Sequence, residues 1–485
     1  MSLHHPQRGP SKALPWIGAL AGAIAMSAGA LVAIDGASRV AAWLRSAAAP
    51  PAEEPAPGPK QSLPPAAVPE DDSPSDPVAE LAGSRRALPY NVVLLTIDTL
   101  RFDLGFTGYP RPVTPNLDAL AARSTVFERA YALASYTPKS VGPMLLGRYA
   151  TETLRDREHY TRFYPGNVFL AERVRAAGGR TAAGMCHLYF AMNFGLRQGF
   201  DVWDTSAMPP GMTDNDARVT GDKLSDVAIT LLSRVADGAE TPDGGGAATP
   251  FFAWFHYIDP HAPYVAHEGA PRFADTPVDG TSRARDLYDE EVWFADAQVG
   301  RVLDFVGSQP WAEDTAIIVT ADHGEAFGEK GHWKHGREVW EPLVRVPLVV
   351  YVPGASPTRV SLKRSLIDLA PTVLDLLGIA TKDGELPGTT LAADAFAGDG
   401  EELEERDVFI DMPEGPFNEA RRAIITGPSP GMKLIQFTGG RYELYDLEAD
   451  PRETTNLVGD EARFRAARAA FKRQVGSLKE IAPTP

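Results

Sequence analysis

The chain has 485 residues, 44% of them hydrophobic and 23% charged, which allows a sizeable core in one large domain with an appendage. A formal charge of −17 speaks against a nucleic-acid partner, which requires a basic face. Cys186 is the only cysteine, and that rules out internal disulfides and cysteine-built zinc or iron–sulfur centres.

Residues 14–34 form an uncharged, mostly apolar run of 21 residues, long enough to cross a bilayer as a helix. The run follows Arg8 and Lys12, a layout shared with secretory signal peptides. Its length favours a retained single-pass anchor, and either reading places the rest of the chain outside the cytoplasm. The predicted organisation is an N-terminal segment (1–13), a transmembrane anchor (14–34), a Pro- and Ala-rich disordered linker (35–88), a catalytic domain (89–400) and a C-terminal subdomain (401–485).

Residues 90–98 read as a strand of a parallel sheet, ending in Asp98 and Thr99. Residues 114–123 read as a helix capped by Thr114. Thr137 precedes Pro138 at the mouth of an apolar helix-like run, the layout of a nucleophile at a helix N-terminus; an ordinary capping threonine has the same layout. A helix over 168–178 is followed by a strand ending at Cys186, whose thiol reads as inert core. Residues 199–204 form a short turn element, and 242–249 a Gly-rich loop. A buried strand over 250–259 runs into His261, and another over 316–320 runs into Asp322 and His323, with His332 and His335 close behind. Polar groups at strand ends lie at the carboxyl edge of a sheet, where open α/β folds bind ligands. A carboxylate and an imidazole side by side can hold one divalent metal. For His256, His332 and Asp259 packing explains the residue as well as chemistry does, and Glu325 and Glu329 read as solvated or supporting groups. Residues 344–353 and 366–378 continue the alternation of strands and helices, which implies a mainly parallel sheet covered on both faces. From about Asp407 the chain reads as a small antiparallel element and a terminal helix.

Five segments now carry a family resemblance, in family order. They are Val93-Leu-Leu-Thr-Ile-Asp98, the Thr137 segment ending Leu145-Leu-Gly-Arg-Tyr149, and Phe255-His-Tyr-Ile-Asp-Pro-His-Ala-Pro-Tyr264. Asp322-His-Gly-Glu325 with His335-Gly336 and Arg345-Val-Pro347 is the fourth, and Glu443-Leu-Tyr-Asp-Leu-Glu-Ala-Asp-Pro-Arg-Glu453 with Asn456-Leu457 the fifth. The chain resembles a sulfatase of the alkaline phosphatase superfamily. That resemblance implies an α/β, alkaline-phosphatase-like fold with a mainly parallel central sheet flanked by helices and a small C-terminal α+β subdomain.

The departures from the family pattern point to its chemistry. Thr137 stands where the family has the Cys or Ser that becomes formylglycine, and Lys139 and Val141 replace the Pro and Arg of that motif. Thr99 replaces the second Asp of the opening pair, and His323 follows Asp322 where calcium-dependent sulfatases have Asn. The resemblance then implies one divalent metal on Asp98, Asp322, His323 and the Thr137 oxygen. Imidazole favours zinc or manganese, with calcium the lesser candidate. His335, twelve residues after His323, matches a further ligand or phosphate contact of threonine-using phosphotransferases. His261 matches a family contact to the transferring group, and Lys139 is expected to offset its charge in place of the missing Arg. The expected activity is hydrolysis or transfer of a sulfate or phosphate ester on a glycan, lipid headgroup or small molecule. The alternative is a catalytically silent domain that binds an anionic glycan or lipid headgroup.

Overall fold

The apolar run after Tyr90 forms the central strand β1 (Asn91–Ile97), in which every residue from Val92 onward is buried. With both faces covered, alternation of polar and apolar residues has no place in it. The computed structural model describes residues 89–156, 162–191, 195–212, 220–237, 249–273, 280–397 and 401–484. The predicted anchor at 14–34, the linker at 35–88 and nearly all of the Gly-rich loop at 242–249 lie outside the described residues. Among the described residues, no helix is long and apolar enough to cross a membrane.

After β1 come β2 (Thr125–Tyr131), β3 (Arg180–Met185), β4 (Val202–Asp204), β5 (Phe251–Tyr257) and β6 (Thr315–Thr320). The short pair β7 (Ala326–Phe327) and β8 (Trp333–Lys334) leads to β9 (Arg345–Val346), β10 (Leu348–Tyr351) and β11 (Thr358–Ser365). The main sheet has the order β11-β2-β10-β6-β1-β5-β3-β4, with β9 paired to β2. β1 runs parallel to both β5 and β6, as expected for such apolar runs. β10 is antiparallel to β6 and to β2, so the sheet is mixed. The cause is the connection: between β6 and β10 the chain makes a polar loop and no crossover helix over the sheet, and a parallel return requires one. The predicted turn at 199–204 contributes the edge strand β4.

The larger helices are α1 (Pro115–Ala121), α2 (Thr137–Leu146), α3 (Leu170–Ala176), α4 (Gly221–Ala236), α5 (Gly280–Gly307), α6 (Leu369–Leu376) and α7 (Glu461–Ser477). α4 packs on β3 and β5 and against α5, whereas α6 packs on β1 beside α2 and α3. Thr114 is the residue before α1, but its side chain makes no capping bond. Asp296 of α5 does so instead, accepting from the backbone N–H groups of Asn116 (2.9 Å) and Leu117 (2.8 Å).

The C-terminal residues form an antiparallel meander of β12 (Val408–Met412), β13 (Arg421–Thr426), β14 (Met432–Phe437) and β15 (Tyr442–Asp446). α7 covers it with Ala467, Ala470 and Phe471. The Asp460 carboxylate caps α7, accepting from Ala462 N and Arg463 N at 3.2 and 3.1 Å. Asp411 joins the meander to the main sheet: its N–H donates to Leu133 O (2.9 Å), and its carboxylate accepts from Thr151 Oγ1 (2.6 Å).

One buried ion pair braces the outer strand of the main sheet. Arg364 donates to both oxygens of Asp394, at 2.6 and 2.9 Å, and both side chains are buried. Arg364→Ala would leave Asp394 unpaired. It is expected to lower unfolding free energy by about 3–5 kcal/mol, read as a fall in the urea midpoint.

Candidate active site and metal centre

Three strand ends meet at the carboxyl edge. Thr96 of β1 stands level with His256 of β5 on one side and Thr320 of β6 on the other. Asp98 therefore emerges beside His256, and Asp322 and His323 emerge across from them. The backbone at this point is strained: Thr99 has φ 58°, a left-handed conformation unusual for a β-branched residue. It is held there by its hydroxyl, which donates to Asp98 O (2.7 Å), and by Tyr288 Oη, which donates to Thr99 O (2.9 Å).

Thr137 is the first residue of α2, after an extended Tyr136, and Pro138 fits the first turn because no hydrogen bond is required of its nitrogen. Unpaired N–H groups and the helix dipole favour negative charge at this end. Thr137 Oγ1 lies 3.1 Å from His323 Nε2 and 3.3 Å from Asp98 Oδ2. His323 Nε2 is 3.5 Å from Asp322 Oδ2 and 3.7 Å from Asp98 Oδ1. Ser140 of α2 donates to Asp322 O (2.6 Å), which fixes the helix against the β6 loop.

These spacings are longer than charge-assisted hydrogen bonds, which run to about 2.9 Å. They lie on either side of the separation of neighbouring ligands on one ion: donors about 2.0–2.1 Å from a tetrahedral centre stand about 3.3–3.4 Å apart. Asp98 Oδ1 and Asp322 Oδ2 are buried and make no hydrogen bond. Burial opposes ionisation of both carboxyls. For Asp98 the adjacent His256 imidazole and the charges of His261 and His323 prevail, holding it well below the carboxylate range. Asp322 is raised, by burial and by the negative charge of Asp98. Two buried carboxyls driven apart in this way form a site that a cation would neutralise. Asp98, His256 and Asp322 also offer ligand atoms that all lie within 4.8 Å of one another. The donor set fits a divalent metal. In the sequence His256 reads equally as core, because a histidine inside an apolar strand looks like packing.

Beyond the carboxylates is a row of imidazoles. The rings of His323 and His335 are 4.6 Å apart, those of His335 and His261 5.0 Å, and those of His261 and His187 6.0 Å. Buried Glu325 accepts from His335 Nδ1 (3.0 Å) and from Tyr264 Oη (2.8 Å). Burial alone would lower His335, but the Glu325 charge and hydrogen bond raise it above the ordinary imidazole value. Burial lowers His261, and it pushes His187 down to about 4 with help from the His261 charge. His187 Nε2 is buried without a hydrogen-bond partner. His187 was not apparent in the sequence, where the available signal was its position just past the end of β3, whereas Glu325 takes the supporting role that was one of its two readings.

Lys139 behaves otherwise than expected. Its Nζ donates to Pro413 O (2.7 Å) and to Asn418 Oδ1, tethering α2 to a loop of the C-terminal meander. Burial, with the nearby Arg155 charge, pushes it down to about 7. Its geometry is that of a brace between α2 and the meander loop, in place of the charge-offsetting role read from the motif. Glu329 accepts from Arg101 Nη1 (2.8 Å) and Phe327 N (2.6 Å), an architectural use. Cys186 is buried, and burial pushes its thiol up to about 12, as inert as predicted.

Sequence comparison places these residues in a known frame. The sulfatase family model matches residues 90–379, and a model described as N-sulphoglucosamine sulphohydrolase, C-terminal, matches residues 328–480. The chain belongs to the sulfatase family. It is a sulfatase-like ester hydrolase with the alkaline-phosphatase-like fold. A choline-sulfatase of Rhizobium meliloti (strain 1021) is 30% identical over 429 residues, covering 76% of this chain and 82% of the relative. Among solved structures, the phosphonate monoester hydrolase of Agrobacterium radiobacter superimposes with a TM-score of 0.61 at 21% identity, over 80% of this chain and 95% of its own. A protein solved in complex with its substrate D-glucosamine-2-N,6-O-disulfate superimposes with a TM-score of 0.64 at 18% identity, over 80% of this chain and 99% of its own. The sulfatase match thus spans the strand ends that carry Asp98, His256 and Asp322 as well as the first turn of α2.

Proposed function

We propose that this sulfatase-family hydrolase is a metal-dependent enzyme that cleaves phosphate or sulfate esters through Thr137, with phosphate esters preferred and transfer to an acceptor alcohol possible in place of hydrolysis. The observation that carries the reading is Thr137 Oγ1 at a helix N-terminus, 3.1 Å from an imidazole nitrogen and 3.3 Å from a buried carboxylate. A divalent ion on Asp98, Asp322 and His323, zinc or manganese in preference to calcium, would favour the Thr137 alkoxide and offset charge on the transferred group. Thr137 Oγ attacks phosphorus, the bond to the leaving oxygen breaks, and the leaving alkoxide takes a proton. His335 is suited to supply that proton, since Glu325 keeps it charged to higher pH, and His261 stands 5.0 Å away across the same space. Water or an acceptor alcohol, giving its proton to the now neutral His335, then attacks phosphorus and releases the Thr137 alkoxide.

Sulfate esters are favoured by kinship, notably the choline-sulfatase at 30% identity. Phosphate is preferred on chemical grounds. A sulfo-threonine lacks the second hydroxyl through which formylglycine eliminates its sulfate, whereas a phospho-threonine can be displaced directly at phosphorus. The substrate is an anionic ester on a glycan, lipid headgroup or small molecule. Residues 14–34 support a single-pass anchor with the catalytic domain outside the cytoplasm; deletion of that run should release the protein from washed membranes. Turnover of aryl sulfate, aryl phosphate monoester and aryl phosphodiester by the zinc- or manganese-loaded chain tests the substrate class. Sulfate turnover that survives loss of the Thr137 hydroxyl would refute the mechanism.

Glu325 provides a pH test. Because it raises His335, Glu325→Gln should let His335 deprotonate at lower pH, moving the alkaline limb of the kcat profile to lower pH. An unmoved limb would remove His335 as the proton donor.

A further inference from the structure

We infer that His256 is a metal ligand, set by Thr96 and Trp254 to present a bare Nε2 to the ion held by Asp98 and Asp322, so that two imidazoles rather than one bind the metal. The inference rests on the metal reading above and adds a residue to it. His256 is fully buried at the end of β5, with the Phe190 ring 4.6 Å and the Trp254 ring 6.1 Å from its own. Its orientation is therefore fixed by packing.

One oxygen can hold the ring in the tautomer that metal binding requires. Thr96 Oγ1 lies 2.7 Å from His256 Nδ1, 2.9 Å from Trp254 Nε1 and 3.5 Å from Phe255 O. A hydroxyl offers two lone pairs and one proton. Nδ1–H and the indole N–H together fill the two lone pairs of Thr96 Oγ1, the arrangement that frees Nε2 for the ion. Nε2 is then unprotonated, as metal-binding imidazoles are, with the other ring nitrogen donating to a supporting group. Nε2 faces Asp98 Oδ2 at 3.5 Å, long for a hydrogen bond to a carboxylate but suited to two ligands on one ion. His256 offers a ligand atom within 4.8 Å of those of Asp98 and Asp322 and so adds a nitrogen to the set. Two imidazoles with two carboxylates suit zinc or manganese and disfavour calcium, which prefers six to eight oxygens.

The test is X-ray absorption of the full-length protein loaded with zinc, which counts imidazole ligands without any substitution. Two imidazoles are expected, and a spectrum fitted by one would overturn the inference while leaving the metal reading intact. His256→Gln, which preserves bulk, should weaken zinc at least about tenfold in competition with a chelating dye. Its melting temperature in EDTA should match that of the wild type in EDTA, showing that the fold survives. Unchanged zinc affinity in that variant would also overturn the inference. A wild-type protein that binds neither zinc nor manganese would overturn the metal reading and this inference with it.

Discussion

Thr137→Ala is expected to lose at least about a thousandfold in kcat on the ester the wild type cleaves, because removal of a nucleophile abolishes the covalent route altogether. Thr137→Ser keeps a hydroxyl in the same place and should retain a measurable part of the rate. Stability should barely change. The residue before α2 is Tyr136 and the helix has no side-chain cap, so the alanine variant removes no capping bond. Its melting temperature should stay within about 3 °C of the wild type. Initial rates and thermal scans on the three proteins check this together. An alanine variant within tenfold of wild type would mean that another group attacks the ester.

Removal of the metal is the second large effect. Chelation should cost more than about a hundredfold in rate, restored by zinc or manganese and not by calcium. It should also lower the melting temperature, because an ion present at about a hundred times its dissociation constant adds about 2.7 kcal/mol to the folded state. Asp98→Asn should reproduce both losses and abolish metal content by elemental analysis. The pH dependence has a definite sign. Asp322 is raised, by burial and by Asp98, so a proton competes with the ion for it, and affinity should fall as pH falls through that raised value. Metal retention that is flat between neutral and acidic pH would contradict the assignment of Asp322 as a ligand.

The strand ends were the legible part of this chain. β1, β5 and β6 are buried on both faces, so they read as apolar runs that stop abruptly at polar residues, and the stops are Asp98, Asp259 and Asp322. Helix α5 was not legible. Its buried acids, Asp289 and Asp296 among them, resemble a solvated surface until the groups they serve are known. Asp296 serves the N-terminus of α1, about 180 positions away in the chain. The tether of Lys139 was hidden for the same reason, since Pro413 and Asn418 lie 274 and 279 positions further along the chain. The direction of β10 depended on the absence of a crossover helix after β6, which apolar periodicity does not reveal.

The most direct test of Thr137 as the nucleophile is mass analysis of peptides from enzyme quenched in acid during turnover of an aryl phosphate. A peptide containing Thr137 heavier by one phosphoryl group, absent from Thr137→Ala, is the predicted result. Steady turnover with that peptide unmodified, or with the added group on another residue, would contradict it.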